Sequence, residues 1–150
     1  MCREPASVEK KTQTISTMNT HSIAEHVRSV LTERMPNVTI YTPINNVELR
    51  EPYLLLTCIA DEELISGNGT WECTLETKFT HSGYEKNHNE MRRAFADLCS
   101  WIANKEALNR INELAPDFIL YHISLRGIEE PEANGNSFNQ SASFRVVVQF

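Results

Sequence analysis

The chain has 150 residues, with 14 basic and 20 acidic side chains and a formal net charge of −6. This is the length of one ordinary domain, and a hydrophobic content of 41 % is typical of a folded chain and not of a disordered one. The acidic balance argues against tight binding to a phosphate backbone, which needs clustered Lys and Arg. No apolar run approaches the roughly 20 residues of a membrane span, so we expect a soluble protein in a cytoplasm.

The N-terminal region differs in composition from the rest. Residues 1–18 are polar, rich in Ser, Thr and Lys, and without periodicity, so we expect a flexible extension there. We expect residues 19–150 to form a single domain. The first helix is predicted over Ser22–Met35, where Ser22 and Glu25 fit a capping box. Its apolar stripe has helical spacing and consists of Ile23, Val27, Val30 and Leu31.

Three strands are predicted next. Val38–Thr42 is short and β-rich, and Tyr53–Ala60 is apolar on both faces. A strand of the second kind is central in its sheet, or another subunit covers its second face. We expect Asp61–Gly69 to be a turn-rich connection. Thr70–Thr80 alternates as a half-buried antiparallel strand does, and its predicted inward residues are Trp71, Cys73, Leu75 and Phe79.

Two helices are predicted to follow a polar loop over His81–Asn89. The first helix has Asn89 as its N-cap and continues to about Ala103, with an apolar stripe of Met91, Phe95, Leu98 and Ile102. Asn104 is the predicted N-cap of a shorter helix, which Pro116 ends. The apolar residues of this shorter helix are Leu108, Ile111 and Leu114.

The last part of the chain is predicted to add a strand over Phe118–Leu125, an acidic loop over Ile128–Gln140, and a strand over Ser141–Phe150 that alternates through Phe144, Val146, Val148 and Phe150. The order is therefore α-β-β-β-α-α-β-β, without regular βαβ alternation. This order predicts an α+β fold with an antiparallel-dominated sheet of about five strands. Because the two main helices each have one apolar stripe, we expect both to pack on one face of the sheet.

No metal motif is present in the sequence. Zinc needs three or four converging ligands, and His81 and His88 would share a polar loop without a nearby cysteine. We interpret the histidines as solvated loop residues, or in a strand as a satisfied sheet residue. The five histidines are His21, His26, His81, His88 and His122. We therefore predict no metal and no cofactor.

No catalytic constellation is recognisable either. The four cysteines (Cys2, Cys58, Cys73 and Cys99) lack C-x-x-C spacing, and we interpret them as buried, reduced residues. Cys99 on an apolar helix should have a raised pKa and be inert. The adjacent carboxylates of Asp61–Glu63 and Glu129–Glu130 are typical of solvated loops, and Ser82-Gly83 is not a nucleophile elbow. We predict that the protein is not an enzyme; a cryptic site using His81, His88 and Cys99 is the enzymatic alternative.

A double-stranded-RNA-binding module is a second alternative. The partial order α-β-β-β-α is similar to such domains, which need basic residues at the start of the second helix. Arg92-Arg93 occupies that position, but Glu90 precedes it and the chain is acidic. A generic intracellular protein-binding adaptor is a third alternative.

The pattern as a whole resembles the tail terminator, or tail-completion (neck), proteins of tailed bacteriophages. The residues that carry the resemblance are a Pro-led apolar strand (Glu51-Pro52-Tyr53-Leu54-Leu55-Leu56) and the alternating final strand Ser143–Phe150 after an acidic, Asn-rich loop. It covers about residues 19–150, and these motifs are loose patterns. No functional residue transfers from the family to a position of this chain.

This resemblance implies a virion protein of the tail and neck, assembled in the host cytoplasm as a homo-oligomeric, six-membered ring. Such a ring caps the tail tube and joins it to the head–tail connector. The implied partners are other copies of the chain, the tail tube protein and the connector protein. Neither a membrane nor a specific nucleic-acid sequence is an implied partner, although DNA passes through the lumen of such a ring.

Overall fold

The computed structural model describes residues 20–36, 38–42, 49–50, 52–65, 67–82, 88–134 and 137–150. The predicted extension over residues 1–18 lies outside these ranges. The first helix, α1, covers residues 20–34. The remaining elements are β1 (Thr39–Tyr41), β2 (Tyr53–Ile65), β3 (Thr70–Ser82), α2 (His88–Ile102), α3 (Lys105–Leu114), β4 (Ile119–Ile128), β5 (Glu132–Asn134) and β6 (Ser137–Gln149).

The strands form one open sheet in the order β1-β2-β3-β6-β4, with the short β5 also paired to β6. Only the β1–β2 pair is parallel, and all other pairs are antiparallel. The predicted α+β class, the dominance of antiparallel pairing and the order of elements are confirmed. The C-terminal strand β6 lies between β3 and β4, which makes it an inner strand of the sheet.

The core lies between the helices and one face of this sheet, which we call the helix face. The predicted stripes of α1 and α2 are buried there, apart from Met91, whose side chain is outside the described set. The alternation of β3 and β6 is also confirmed, since Leu75 and Phe144 are fully buried. Helix α3 differs from its prediction: Ala107 and Ile111 are its buried residues, and Leu114 is exposed.

Four strands are longer than predicted, and in β3 the extension is the two residues from His81 to Ser82. The acidic residues after Ala60 do not form a turn, because β2 continues to Ile65 in a ladder with β3. The predicted acidic loop over Ile128–Gln140 is confirmed only at residues 129–131, since Ile128 ends β4, Glu132–Asn134 form the short β5 and β6 begins at Ser137. In both places backbone pairing with a neighbouring strand outweighs a polar composition that is common in loops.

Two predicted helix starts are wrong, and a third is confirmed. Ser22 lies inside α1, and its hydroxyl donates to Asp117 Oδ2 at 2.6 Å, so it is not the cap of a capping box. Asn89 lies inside α2, which already begins at His88. Asn104 is the N-cap of α3, and its side chain accepts a hydrogen bond from the backbone N–H of Glu106.

Candidate assembly surface

The face of the sheet opposite the helices, which we call the outer face, is uncovered within the described part of the chain. The outer-face residues of β2 and β3 include the half-buried Leu55 and the exposed Ile59, Glu76 and Lys78. Ile59 is 52 % exposed. The apolar second face predicted for β2 therefore exists, but no element of the described chain packs against its centre.

A polar connection crosses this outer face from β2 to β4. Three strand spacings, roughly 14 Å in a flat sheet, separate these strands. The Thr74 hydroxyl on β3 donates to Asp61 Oδ2 of β2 at 2.6 Å, and Arg126 Nη1 of β4 donates to Thr74 Oγ1 at 2.7 Å. The distance from Arg126 Nη2 to Asp61 Oδ2 is 3.8 Å. We call Asp61, Thr74 and Arg126 the ionic strap.

Both charged ends of the ionic strap are bulge residues. Asp61 has no partner in the β2–β3 ladder, and Arg126 has none in the β4–β6 ladder, because the register of each ladder shifts at that point. A β-bulge adds an unpaired residue, increases the local twist and re-aims a side chain. The bulges therefore explain how side chains from two strands that are not neighbours meet above the outer face.

Glu72 on β3 extends the ionic strap. It forms a hydrogen-bonded ion pair with Arg145 of β6, and its carboxylate lies 3.5 Å from Arg126 Nη2. The hydrogen bond from Arg145 is the main reason why the pKa of Glu72 lies below its ordinary value, and Arg126 lowers it further. The carboxylate therefore stays charged at neutral pH, and it shares the Arg126 guanidinium with Asp61.

A second polar connection lies nearer the end of the sheet. Tyr121 is also a bulge residue of β4, and its hydroxyl donates to Gln149 Oε1 of β6. The Gln149 side chain in turn donates to Asn68 Oδ1, in the turn between β2 and β3, at 2.9 Å. Strand β4 is thus linked across the outer face at two levels, to β2 through the ionic strap and to the β2–β3 turn through Gln149.

Strand β4 forms one margin of the sheet. Among the described elements it pairs only with β6, so one row of its backbone groups has no strand partner in this part of the chain. Its exposed apolar side chains are Ile119, Tyr121, Leu125 and Ile128. Another chain can pair with an exposed strand edge, so proteins normally cover such edges or place charged side chains on them.

One residue of α3 covers the start of the β4 edge. The Asn112 side chain donates to the carbonyl oxygen of Leu120 at 2.9 Å and accepts from its N–H at 2.7 Å. In an antiparallel strand the N–H and C=O of one residue point to the same side. Asn112 therefore occupies the position of a neighbouring strand at Leu120, and the open part of the β4 edge begins after this residue.

The opposite margin is formed by β2. The three-residue β1 pairs with β2 only at Tyr53–Leu55, so the prediction that β2 is central holds only for that part. Beyond it, within the described chain, β2 has β3 as its one neighbour. This free half combines the exposed residues Ile59, Leu64 and Ile65 with a run of acids (Asp61, Glu62 and Glu63).

Two open grooves adjoin these margins. One, of about 230 Å³, lies on the outer face between Leu55, Lys78 and Glu129. The other, of about 380 Å³, lies between α2 and the β4–β5 connection and is lined by Arg92, Arg93, Ile128 and Glu130, among others. Arg92 Nη2 lies 3.9 Å from Glu130 Oε2, so acidic side chains face the arginines that an RNA-binding module would need.

The histidines considered as ligands are dispersed. His21 lies 3.6 Å from Glu25, and His26 packs edge-on against Phe118. His81 is in β3 and not in a loop, and His122 is exposed on β4. The side chain of His88 is outside the described set. Over the described ranges, no three His, Cys, Asp or Glu side chains are grouped so that they could hold a metal ion.

The cysteines are reduced where the structure describes them. Cys73 and Cys99 are buried and Cys58 is half-buried; Cys2 lies outside the described residues. Burial raises the pKa of the Cys99 thiol to about 12, which confirms the predicted direction. A hydrogen bond with Cys73, together with burial, holds the pKa of the Cys58 thiol well above its usual range. The thiols of Cys58 and Cys99 are therefore protonated at neutral pH and poor nucleophiles.

Sequence reasoning placed Asp61–Glu63 in a turn-rich connection, whereas they belong to β2, and it did not identify Arg126 or Asn112. A bulge leaves no periodic signal in the sequence. The sequence also does not distinguish an asparagine that bonds to a strand edge from one that is exposed to solvent.

None of the helices in the described chain has the length and apolar content that crossing a bilayer requires. The chain matches no known family model and no curated protein sequence.

Proposed function

We propose that this chain is a structural protein that assembles head-to-tail into a closed ring and, as its sequence resemblance implies, caps the tail tube of a tailed phage and joins it to the head–tail connector. The observation that carries the proposal is the pair of unlike open margins, β4 and the free half of β2, on opposite sides of one sheet. Two different surfaces of one chain form heterologous contacts, which generate rings when the rotation closes.

Charge supports the pairing of unlike margins over like ones. Asp61 and Arg126 are paired with each other in the ionic strap. Apart from them, the free half of β2 has the acids Glu62 and Glu63 and no basic residue, whereas β4 has His122 and no acidic residue. Like charges placed opposite each other between strands destabilise the pair. Two β2 margins would therefore repel each other, and β4 of one copy is the complementary partner for β2 of the next.

Apolar exposure supplies the driving force for this contact. Leu125 and Ile128 are 39 % and 38 % exposed on β4, and Ile59 and Ile65 are 52 % and 53 % exposed on β2. Burying such side chains contributes about 25 cal/mol per Å² of apolar surface removed from water. Because bulges interrupt both margins, we expect side-chain packing to contribute more than a long continuous β-ladder.

The proposal is tested by assembly and by capping. Native mass spectrometry of the purified full chain should give one closed oligomer, a hexamer if the resemblance holds. When the chain is added to growing tail tubes, electron micrographs should show shorter tubes with extra density at one end. A chain that stays monomeric at all concentrations, or tubes that keep growing with bare ends, would refute the proposal.

A charged substitution provides a matched comparison. Leu125→Lys places a charge on the open part of the β4 edge and should abolish the oligomer without lowering the thermal midpoint of the monomer by more than a few degrees. Leu114→Lys makes the same change at an exposed position of α3 and should leave assembly intact. Equal loss of assembly in both variants would show that these substitutions act through general solubility and not through the β4 margin.

A further inference from the structure

The ionic strap links the two margins at which, in the proposed ring, neighbouring copies meet. Asp61 belongs to β2 and Arg126 to β4, and β3 and β6 lie between them. Both residues are placed over the outer face by bulges, and Thr74 on β3 bonds to both of them. A tie between the outermost long strands of a sheet opposes changes in the twist and curvature of the strands between them.

We infer that the ionic strap fixes the angle between the β2 and β4 margins and thereby the number of copies at which the ring closes. This inference rests on the head-to-tail ring proposed above. In such a ring, the angle between the two margins of each copy sets the rotation from that copy to the next. A small change of that angle is added once per copy, so it accumulates around the ring and changes the number of copies or prevents closure.

The composition of the strap suits this role better than a role in overall stability. The side chains of Asp61 and Arg126 are 39 % and 40 % exposed, and exposed ion pairs contribute little to the free energy of folding. The strap can still affect the shape of the sheet, because the twist between strands varies over a wide range and a few directed hydrogen bonds can restrict it. The strap should therefore be dispensable for folding and required for uniform curvature.

The decisive variant removes both charged ends, Asp61→Ala with Arg126→Ala. Native mass spectrometry of the assembled full chain should show one copy number for the wild type. The variant should show a shift of at least one copy, a mixture of copy numbers, or open chains. The exchange Asp61→Arg with Arg126→Asp, which allows Thr74 to bond to both ends again, should restore a single copy number.

A matched control removes an ion pair elsewhere. Glu33→Ala with Arg110→Ala deletes an exposed pair between α1 and α3 with an N–O distance of 3.1 Å, and should leave the copy number unchanged. Rings of the wild-type copy number from the strap-free variant would overturn the inference while the proposed ring stands. A wild-type chain that never assembles would instead refute the proposed ring, and this inference with it.

A measurement on the isolated chain separates curvature from contact strength. Nitroxide labels on unnatural ketone side chains at positions 62 and 122, both exposed, would report the distance between the two margins. Loss of the strap should broaden the distance distribution or shift its maximum. An unchanged distribution would overturn the inference even if the copy number changed, since the change would then come from the interface itself.

Discussion

Replacement of Asn112 by Ala tests how the β4 edge is covered. The substitution removes both hydrogen bonds that the side chain makes with the backbone of Leu120, of 2.9 and 2.7 Å. Leu120 is only 2 % exposed, so water replaces these bonds poorly. Leaving a buried backbone group unsatisfied costs about 1–3 kcal/mol. Because this site is at the margin of the sheet, we take a value in the lower part of this range, about 1.25 kcal/mol, for each of the two groups.

A helix-propensity gain opposes this loss. Ala is a better helix former than Asn by roughly 0.5 kcal/mol, so the net loss in the free energy of unfolding should be about 2 kcal/mol. For a domain of this size each kcal/mol corresponds to roughly 2–4 °C in the thermal midpoint. We therefore expect Asn112→Ala to lower the midpoint by about 4–8 °C, measured by circular dichroism or by calorimetry.

The same helix contains a matched control. Asn109 is exposed on α3, so Asn109→Ala keeps the propensity gain without the loss of backbone partners, and its midpoint should stay equal or rise slightly. Hydrogen exchange should locate the defect, with faster exchange of the Leu120 amide only in Asn112→Ala. Equal midpoints for the two variants would refute the reasoning that Asn112 acts as a strand neighbour.

Two further predictions concern the turn between β2 and β3 and the outer face. Gly67 and Gly69 both have positive φ (76° and 78°), but an added Cβ would meet nothing at Gly67 and would lie 3.2 Å from the Phe150 carbonyl oxygen at Gly69. Gly67→Ala should therefore cost about 1 kcal/mol in chemical denaturation, and Gly69→Ala distinctly more; equal costs would contradict the close approach. Because the bond from Arg145 lowers the folded-state pKa of Glu72 below its ordinary value of 4.5, its stabilising effect is present above that pH and is lost as the pH falls through the folded-state pKa. In Glu72→Gln the thermal midpoint should fall less steeply than in the wild type as the pH is lowered through the acid range. An equally steep fall in both proteins would count against the ion pair.

Prediction from the sequence succeeded where a local pattern decides the structure. The stripes of α1 and α2, the alternation of β3 and the cap of α3 by Asn104 were all predicted and confirmed. In each case the signal lies within a few turns of helix or a few strand residues. The same reasoning misplaced Ser22, because a hydroxyl near a helix start has competing partners, here Asp117, that are distant in the sequence.

The candidate surface was less predictable. The acids from Asp61 onward have the composition of a loop, yet they extend β2, because β3 offers them a backbone partner. The roles of Asp61 and Arg126 depend on two register shifts in two different ladders, and no single-strand pattern encodes a shift between strands.

By itself, the sequence determined the α+β class, the succession of helices and strands, and which faces of them are apolar. These follow from side-chain periodicity, which is a property of each segment alone. Only the tertiary structure decided that β6 enters between β3 and β4, that Asn112 covers the start of an edge, and that two bulge residues meet across the outer face. Those outcomes depend on contacts between residues far apart in the chain, whose free energies are settled only when all the strands are packed together.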